Sequence, residues 1–517
     1  MTNILSILIF LPIIMAIPIM FFKKDKDKVV KAYAFFVSII TFALSLVLYF
    51  TFNSDIGEFQ FVEKILWIKV INSYYYVGID GISLLLILLT TLIFPISIIA
   101  SFQTIKVRIR EYFFLILILE GALIGVFTSL DMILFYVFWE FILIPMYFLI
   151  GIWGGEERIY ATVKFFLYTM FGSVLLLIGI IWVGFIVSPY AGGFTLDIQQ
   201  ITSFSQYIPV NKQIILFILF TLGFMIKVPL FPFHTWLPDA HVQAPTAGSV
   251  ILAALLLKMG TYGLIRFSLN LFPAASIKLT PYIAVLAVIG IIYGALLSIV
   301  QKDMKKLVAY SSVSHMGFIV LGIFALKDVA MQGSVIQMIN HGLSTGALFL
   351  FVGMIYERRH TKLIAEFGGV RKVMPVYAAL LLVVSLSSIG LPGLNGFIGE
   401  FLILVGSFNS FNLGSHWFAI LSATAVIFSA VYLLWMYQRV MLGPLEKDEN
   451  KKLTDITGLE IATIIPLLVF IVWIGVYPNT FLRVSEKSVQ KILINYDNAK
   501  VKMLKDLQIQ QNEQKTN

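Results

Sequence analysis

Cysteine is absent from this 517-residue sequence. Without thiolates the chain offers no cysteine ligands for an iron–sulfur cluster, no thiol nucleophile and no disulfide. Charged residues are also scarce: they make up 13% of the chain, whereas a soluble domain carries about a quarter. The composition therefore excludes a water-soluble domain.

Long apolar runs take the place of the missing charge. Hydrophobic residues make up 59% of the chain, and the mean hydropathy is +0.93. They fall in blocks of about twenty, the length that a helix needs to cross a hydrocarbon core of about 30 Å. The first block, Thr2 to Phe22, has no basic leader and no small-residue cleavage site. We expect it to be a retained helix, not a signal peptide.

The pattern of apolar runs and loop signals predicts an all-α polytopic membrane protein with about fourteen transmembrane spans. In chain order the predicted spans lie near 3–22, 30–52, 78–101, 112–130, 132–152, 162–188, 213–237, 244–267, 281–300, 306–325, 331–356, 374–407, 416–442 and 458–478.

The basic residues indicate how the chain is oriented. Odd-numbered connections between spans hold 21 Lys and Arg residues, and even-numbered ones hold five. By the positive-inside rule the odd connections face the cytoplasm, so both termini lie on the outer side. We expect a multi-pass protein of a bacterial inner membrane with periplasmic termini. The same rule accounts for the net charge of +9, so nucleic-acid binding is not expected.

Several ionisable residues stand inside predicted spans, where a charge costs at least about 3 kcal/mol and suggests a functional site. Structural ion pairs between helices are the alternative explanation. Buried pairs seldom stabilise much, however, and helix adhesion needs only small and neutral polar residues. Burial disfavours the charged form, so a change in a neighbouring charge can load or release a proton. The candidate proton-transfer residues are Glu140, Lys227, Lys258, His315, His341 and Glu400, and Glu120 is a further buried acid.

Two predicted spans are interrupted beside these charges. Residues 227–238 contain three prolines, and residues 390–396 read Gly-Leu-Pro-Gly-Leu-Asn-Gly. Proline removes a backbone donor, and a broken helix at membrane depth marks a polar cavity because its free backbone groups need partners. Paired interruptions of this kind are typical of inverted-repeat transporters.

The spacing of the charges predicts an internal repeat. Glu140 and Lys227 are 87 positions apart, and His315 and Glu400 are 85 apart. Each pair occupies the second and fourth spans of a five-span unit, spans 4–8 and 9–13, and an odd span number makes the second unit inverted. The match is incomplete, because Lys258 projects onto the apolar Val431. The predicted domains are 1–111 (three N-terminal helices), 112–267 and 281–442 (the two repeats), 458–478 (the last span) and 479–517 (an amphipathic tail).

The C-terminal tail has a different pattern from the spans. Apolar residues recur at helical spacing among charged ones, which predicts an amphipathic helix that docks on a neighbour or on the membrane surface. The alternative is a solvated end, and we expect this for residues 508–517. The apolar positions are Val489, Ile492, Leu493, Tyr496, Met503 and Leu507.

The segment 233–263, FHTWLPDAHVQAPTAGSVILAALLLKMGTYG, resembles a signature of the antiporter-like membrane subunits of respiratory complex I. Mrp-type cation/proton antiporters share it. Two features make the chain most similar to the subunit M type, called chain 4 in mitochondria. One is Glu400 in Gly-Phe-Ile-Gly-Glu-Phe, where sister subunits usually have lysine. The other is a length of fourteen spans with no long lateral helix after them.

The resemblance implies a proton-translocating subunit of NADH:quinone oxidoreductase that performs no redox chemistry. Glu140 would pair with Lys227 as a switch, and Lys258 would pass the proton along the membrane axis. No cofactor is expected in this chain, and electron transfer would occur in other subunits. Two antiporter-like neighbours and the lipid bilayer are the implied partners.

The resemblance also implies roles for the second half. His315 and His341 would bridge toward Glu400, the terminal gate, and His241 would lie near the cytoplasmic end of a broken helix. A structural capping role for His241 and for His234 is equally compatible with the sequence. For the cytoplasmic loop 153–164, with Glu156, Glu157 and Arg158, a structural role is at least as well supported as proton entry.

Three other functions are alternatives to a proton-translocating subunit. A cation/proton antiporter without redox coupling is the main alternative, and Glu400 instead of lysine argues against it. A purely structural membrane scaffold is the second. Haem ligation is the third, but His315 and His341 lie on different spans with no matching second pair of histidines.

Overall fold

A computed structural model describes residues 3–23 and 25–516, with the backbone alone for residues 499 and 502–516. Within these residues, thirteen helices are long and apolar enough to cross a membrane, and two shorter apolar helices, Pro375–Ile389 and Asn395–Phe408, lie where the twelfth span was predicted. The elements are α1 (Ile4–Phe21), α2 (Asp27–Thr51), β1 (Gln60–Ile68), β2 (Ser73–Ile79), α3 (Gly81–Thr104), α4 (Ile109–Thr128), α5 (Met132–Trp153), α6 (Arg158–Ala191), α7 (Ile198–Phe204), α8 (Val210–Lys227), α9 (Trp236–Gln243), α10 (Thr246–Leu269), α11 (Pro273–Ile299), α12 (Met304–Phe324), α13 (Asp328–Arg359), α14 (Pro375–Ile389), α15 (Asn395–Phe408), α16 (Trp417–Met441), α17 (Asp448–Lys451), α18 (Gly458–Val476) and α19 (Asn479–Thr516). The polytopic all-α fold is thereby confirmed.

Both predicted helix breaks are present. Residues 228–235 separate α8 from α9, and residues 390–394 separate α14 from α15. In the second break Gly390 and Gly393 have φ angles of +87° and +91°, a backbone conformation that glycine adopts without strain. The sequence therefore gives the position of each break through its proline and glycine residues.

Helices α10 and α13 form the centre of the molecule, since their most apolar stretches are wholly buried. In α10 the backbone has π-helical turns at Leu252–Leu256 and Leu264–Leu269. Such turns occur often at functional sites because they leave carbonyl groups available to side chains. The Lys258 side chain uses one of these carbonyls.

A β-hairpin between α2 and α3 was not predicted. Strands β1 and β2 pair antiparallel, with Glu63 opposite Val77 and Ile65 opposite Tyr75. The segment is too short and too charged for a span, so the sequence pattern indicated only a loop. Glu63 accepts hydrogen bonds from the backbone amides of Leu5 and Ser6 at 2.9 and 3.2 Å, which fastens the hairpin to the start of α1.

The C-terminal tail docks on this same end of the bundle. Val489, Ile492 and Tyr496 are buried, and Ser488 Oγ accepts a hydrogen bond from the Gly81 amide at 3.0 Å. The predicted amphipathic helix is confirmed for these residues, whereas the side chains of Met503 and Leu507 lie outside the described residues. The helix continues to Thr516, and the solvation expected for residues 508–517 concerns side chains outside the described residues.

Gly396, in the first turn of α15, permits the closest backbone contact at the second break. A Cβ atom there would lie 2.0 Å from the Ser387 carbonyl oxygen. Gly396→Ala should lower the thermal unfolding temperature of the assembled complex, because forced overpacking costs about 1–3 kcal/mol or more. Gly458→Ala is the control, since nothing lies within 4 Å of its added methyl group. Equal melting of the two variants would contradict this packing.

Candidate functional site: a row of buried ionisable side chains

Lys258 and His341 start a continuous row at the centre of the molecule. Lys258 Nζ lies 2.6 Å from His341 Nδ1 and donates to the Ala253 carbonyl at 2.6 Å. Both side chains are buried, at 0% and 3% exposure. A contact this short allows the two groups to share or exchange one proton.

His341 and His315 are neighbours across α12 and α13. Their ring centroids are 5.7 Å apart, and a cavity of about 10 Å³ lies beside both rings. A space of that size and polar lining holds about one water molecule. The lining also includes Asn340, Ser344 and Ser388.

His315 is hydrogen-bonded to Glu400. The Nδ1 to Oε1 distance is 2.9 Å, and Ser388 Oγ lies 3.3 Å from the other ring nitrogen. Gln337 Nε2 donates to the same carboxylate oxygen at 3.3 Å. Both members of the pair are buried at 4% exposure. The structure therefore brings Lys258, His341, His315 and Glu400 together in one line.

Neutral polar side chains surround the second break, and sequence reasoning missed them. Asn395 Oδ1 accepts from Ser387 and Ser344 at 2.5 and 3.2 Å, and Asn340 donates to the Asn395 carbonyl at 2.7 Å. Their presence follows from the need to satisfy backbone groups that the break exposes. The Asn in Gly-Leu-Asn-Gly was the signal available in the sequence.

Lys227 ends α8 at the first break and is 1% exposed. Its Nζ lies 5.3 Å from the Trp139 ring and 5.7 Å from the Phe165 ring, and it has no hydrogen-bond partner among the described residues. Cation–π contacts therefore help to hold the buried amine in place, together with the electrostatic attraction of Glu140. Trp236 Nε1 donates to the Ile226 carbonyl at 2.9 Å, which satisfies one backbone group freed by the break.

Glu140 does not form the expected direct ion pair with Lys227. The two side chains are near enough for electrostatic attraction, but within the described part of the chain Glu140 Oε1 has no hydrogen-bond partner. Glu140 is also only half-buried. The side chains of Ser173 and Tyr136 approach the Glu140 carboxylate instead, and Lys227 acts on it only through its charge.

Lys227 and Lys258 are not joined by a polar contact among the described residues. Helices α8 and α10 meet here through backbone: a Cβ atom at Gly260 would lie 2.7 Å from the Phe224 carbonyl oxygen. The candidate residues thus form one connected group of four, Lys258 to Glu400, and a separate pair at Glu140 and Lys227.

The two histidines beside the prolines have different surroundings. The His241 ring stacks on Phe349 at 4.5 Å, and neither ring nitrogen has a partner among the residues described. His234 lies against the rings of Phe231 and Tyr293, at 5.8 and 5.3 Å. Neither side chain caps a helix end.

The loop that was predicted to face the cytoplasm is shorter than 153–164, because α6 begins at Arg158. The Gly155 amide donates to the Gln243 carbonyl at 2.8 Å, and the Glu157 amide donates to the Gln243 side chain at 3.2 Å. These contacts support a structural role for the loop.

Two acids that stand at the starts of helices, Asp80 and Asp131, are buried. Asp80 accepts from the Ser83 amide at 3.0 Å, and Asp131 accepts from the Ile133 and Leu134 amides, so both cap helices. Capping draws a carboxylate inward because the first backbone amides of a helix need acceptors. Asp80 also pairs with Arg266 at 2.8 Å, a residue that sequence reasoning missed.

Comparison with known proteins decides the family. The model for "NADH:quinone oxidoreductase/Mrp antiporter, TM" matches residues 129–429, and that for "NADH-ubiquinone oxidoreductase chain 4, amino terminus" matches residues 6–126. The chain is 44% identical over 498 residues to NADH-quinone oxidoreductase subunit M of Rickettsia conorii, covering 95% of this chain and 99% of that protein. The chain belongs to the family of NADH:quinone oxidoreductase subunit M, or chain 4.

Solved structures agree with this subunit M assignment. A chain of respiratory complex I from Thermus thermophilus superposes with a TM-score of 0.84 at 29% identity, covering 95% of this chain and 99% of that one. A chain of the Mrp complex from Dietzia has a TM-score of 0.82 at 18% identity, with 96% and 99% coverage. The second likeness shows a shared fold alone.

Proposed function

We propose that this chain is a proton-translocating membrane-arm subunit of NADH:quinone oxidoreductase. The main support is the group of buried side chains Lys258, His341, His315 and Glu400. Lys258 lies 2.6 Å from His341, His315 lies 2.9 Å from Glu400, and a water-sized cavity lies beside the two histidines. Electron transfer takes place in other subunits and drives this one electrostatically.

Each member of the row has a role set by its neighbours. Lys258 holds a proton next to a basic ring nitrogen of His341, so a small change in the local field moves the proton between them. One water in the cavity passes it from His341 to His315. Glu400 receives it through His315 Nδ1, and Gln337 keeps the carboxylate in position.

Lys227 and Glu140 form the switch. The Lys227 amine lies against aromatic rings and has no hydrogen-bonded counterion among the described residues, so its proton affinity depends on where Glu140 lies. The half-buried carboxylate can move toward or away from Lys227 as a neighbouring subunit shifts. Moving one charge in a low-dielectric setting changes the energy of another by several kcal/mol, and moving one proton against 100 mV takes about 2.3 kcal/mol.

The orientation follows from the excess of Lys and Arg in the odd connections: both termini face the outer side of a bacterial inner membrane. The start of α1 is fastened to the hairpin and α19 docks at the same end, which supports one side for both termini.

Antiporter-like subunits on either side of this chain are the proposed partners, and Glu140 faces one of them. The two inverted five-helix repeats remain a proposal that the paired breaks support.

Glu400→Gln tests the proposed function. Glutamine keeps the size and hydrogen bonds of the side chain but cannot take up and release a proton, so the number of protons pumped per NADH oxidised should fall by the share that this chain contributes. The assay is dye-reported acidification of proteoliposomes that contain the whole complex. Glu449→Gln, at an exposed position of the short helix α17, is the matched control and should pump normally. Normal pumping by Glu400→Gln would refute the role of the row.

A further inference from the structure

A polar vestibule opens on the same end of the molecule as the hairpin. Its volume is about 440 Å³, and it lies between the end of α10, the start of α3 and the docked helix α19. The lining includes Asp80, Arg266, Asn270, Ser488, Asn495 and Tyr496. A cavity of this size with polar groups in its lining has room for water, which we expect to enter from the predicted outer side.

Arg266 forms the inner wall of this vestibule, although it is itself only 3% exposed. Its guanidinium donates to Asp80 at 2.8 Å and lies over the rings of Phe59 and Tyr262, 4.9 and 5.1 Å from their centres. Asp80 in turn accepts from the Ser83 amide at the start of α3. Contacts from three elements therefore fix the arginine in one position.

Tyr262 stands between Arg266 and Lys258, one helical turn from each along α10. Its hydroxyl accepts from Arg266 Nε at 3.3 Å and donates to the Phe127 carbonyl at 3.1 Å. A hydroxyl relays a proton only if it can give up its own proton and accept another in its place. Here the Phe127 carbonyl accepts the hydroxyl's proton, while Arg266 Nε and Ser83 Oγ, the latter at 3.2 Å, occupy the positions where the oxygen could accept another.

We propose that Asp80, Tyr262 and Arg266 form an outer seal that stops protons in the vestibule from leaking back to Lys258. The inference rests on the proposed function, because a seal is needed only if Lys258 carries protons that have been moved against a gradient. It assigns a positioning role to three residues outside the row.

Arginine suits this role better than any other side chain. It keeps its proton under all ordinary conditions and accepts no hydrogen bond, so it interrupts a proton wire wherever it stands. A fixed arginine in a pore also repels hydrated protons and other cations. The rings of Phe59 and Tyr262 keep its planar group from swinging aside. Lysine would retain the charge, but it lacks the planar guanidinium group that binds Asp80 and stacks on the rings of Phe59 and Tyr262.

The test is passive proton leak in proteoliposomes that contain the whole complex, without NADH, after a potassium diffusion potential is imposed. Arg266→Gln combined with Asp80→Asn keeps a neutral hydrogen-bonded pair, and the seal predicts about a tenfold faster leak, which corresponds to about 1.4 kcal/mol less barrier. Arg266→Lys should leak less than the double variant. Tyr262→Phe, which removes the hydroxyl but leaves the arginine, should leak no faster than the unchanged complex. An unchanged leak in the double variant would overturn the proposal.

A second measurement tests the vestibule itself and remains possible if the double variant fails to assemble. The chain has no cysteine, so Asn270→Cys places one thiol in this chain, in the vestibule wall. A membrane-impermeant thiol reagent added from the outer side should label it as fast as Val70→Cys on the exposed hairpin turn. Failure to label would contradict a water-filled vestibule. Neither test involves turnover, so a normal proton yield in Glu400→Gln would reject the proposed function without touching the leak result.

Discussion

Replacement of Lys258 by methionine should stop proton movement through this chain while the complex still assembles. Methionine fills the same space without a titratable group, and His341 beside it loses the Lys258 amine that lies 2.6 Å away. A proton would then have to cross an uncompensated gap at mid-membrane, at a cost of more than about 3 kcal/mol. A barrier of that size slows the flux through the row by at least about a hundredfold.

The protons pumped per NADH oxidised measure this loss, and subunit composition after detergent extraction shows whether the complex is intact. Lys452→Met, an exposed lysine in the predicted cytoplasmic loop before α18, is the matched control. The complex with Lys258→Met should oxidise NADH with a lower proton yield. An unchanged yield would mean that protons do not pass through Lys258.

Replacement of Lys227 should separate function from stability. A buried amine without a hydrogen-bond partner contributes a desolvation cost that its cation–π contacts only partly offset. Lys227→Met should therefore leave the thermal unfolding temperature of the complex unchanged or raise it. Proton pumping should fall, because the switch has lost its cation.

Glu140→Gln is the partner experiment, since it removes the charge that acts on Lys227 and keeps the side-chain shape. Both variants should lower the proton yield, and the double variant should lower it no further, as expected for two parts of one switch. A Lys227→Met complex that melts at a clearly lower temperature and pumps normally would support the structural scaffold instead.

Much of the fold follows from simple patterns in the sequence. Blocks of about twenty apolar residues give the spans, and the prolines of 227–238 and the glycines of 390–396 give the breaks. The six ionisable candidates were found because a charge inside an apolar run is conspicuous. Their spacing does not show which of them touch, and the structure joins four of them while leaving Glu140 and Lys227 apart.

Other features depend on contacts between distant segments, which one sequence does not reveal. The hairpin β1–β2 is stabilised by Glu63 against the start of α1, 57 and 58 residues away. Asp80 and Arg266 are 186 residues apart, and each alone looked like an ordinary residue at a span end. Asn395 stands in the Gly-Leu-Asn-Gly of the second break, but its partners Asn340, Ser344 and Ser387 lie inside helices, where Ser and Asn carry no distinctive pattern.

The most direct test of the central claim is an experimental structure of the whole complex in lipid, at a resolution that shows ordered water. The account predicts one water between His341 and His315, and waters that connect Lys227 to Lys258 across the contact of α8 and α10. A dry, apolar gap at either place, in every state of the working complex, would contradict proton transfer along this row.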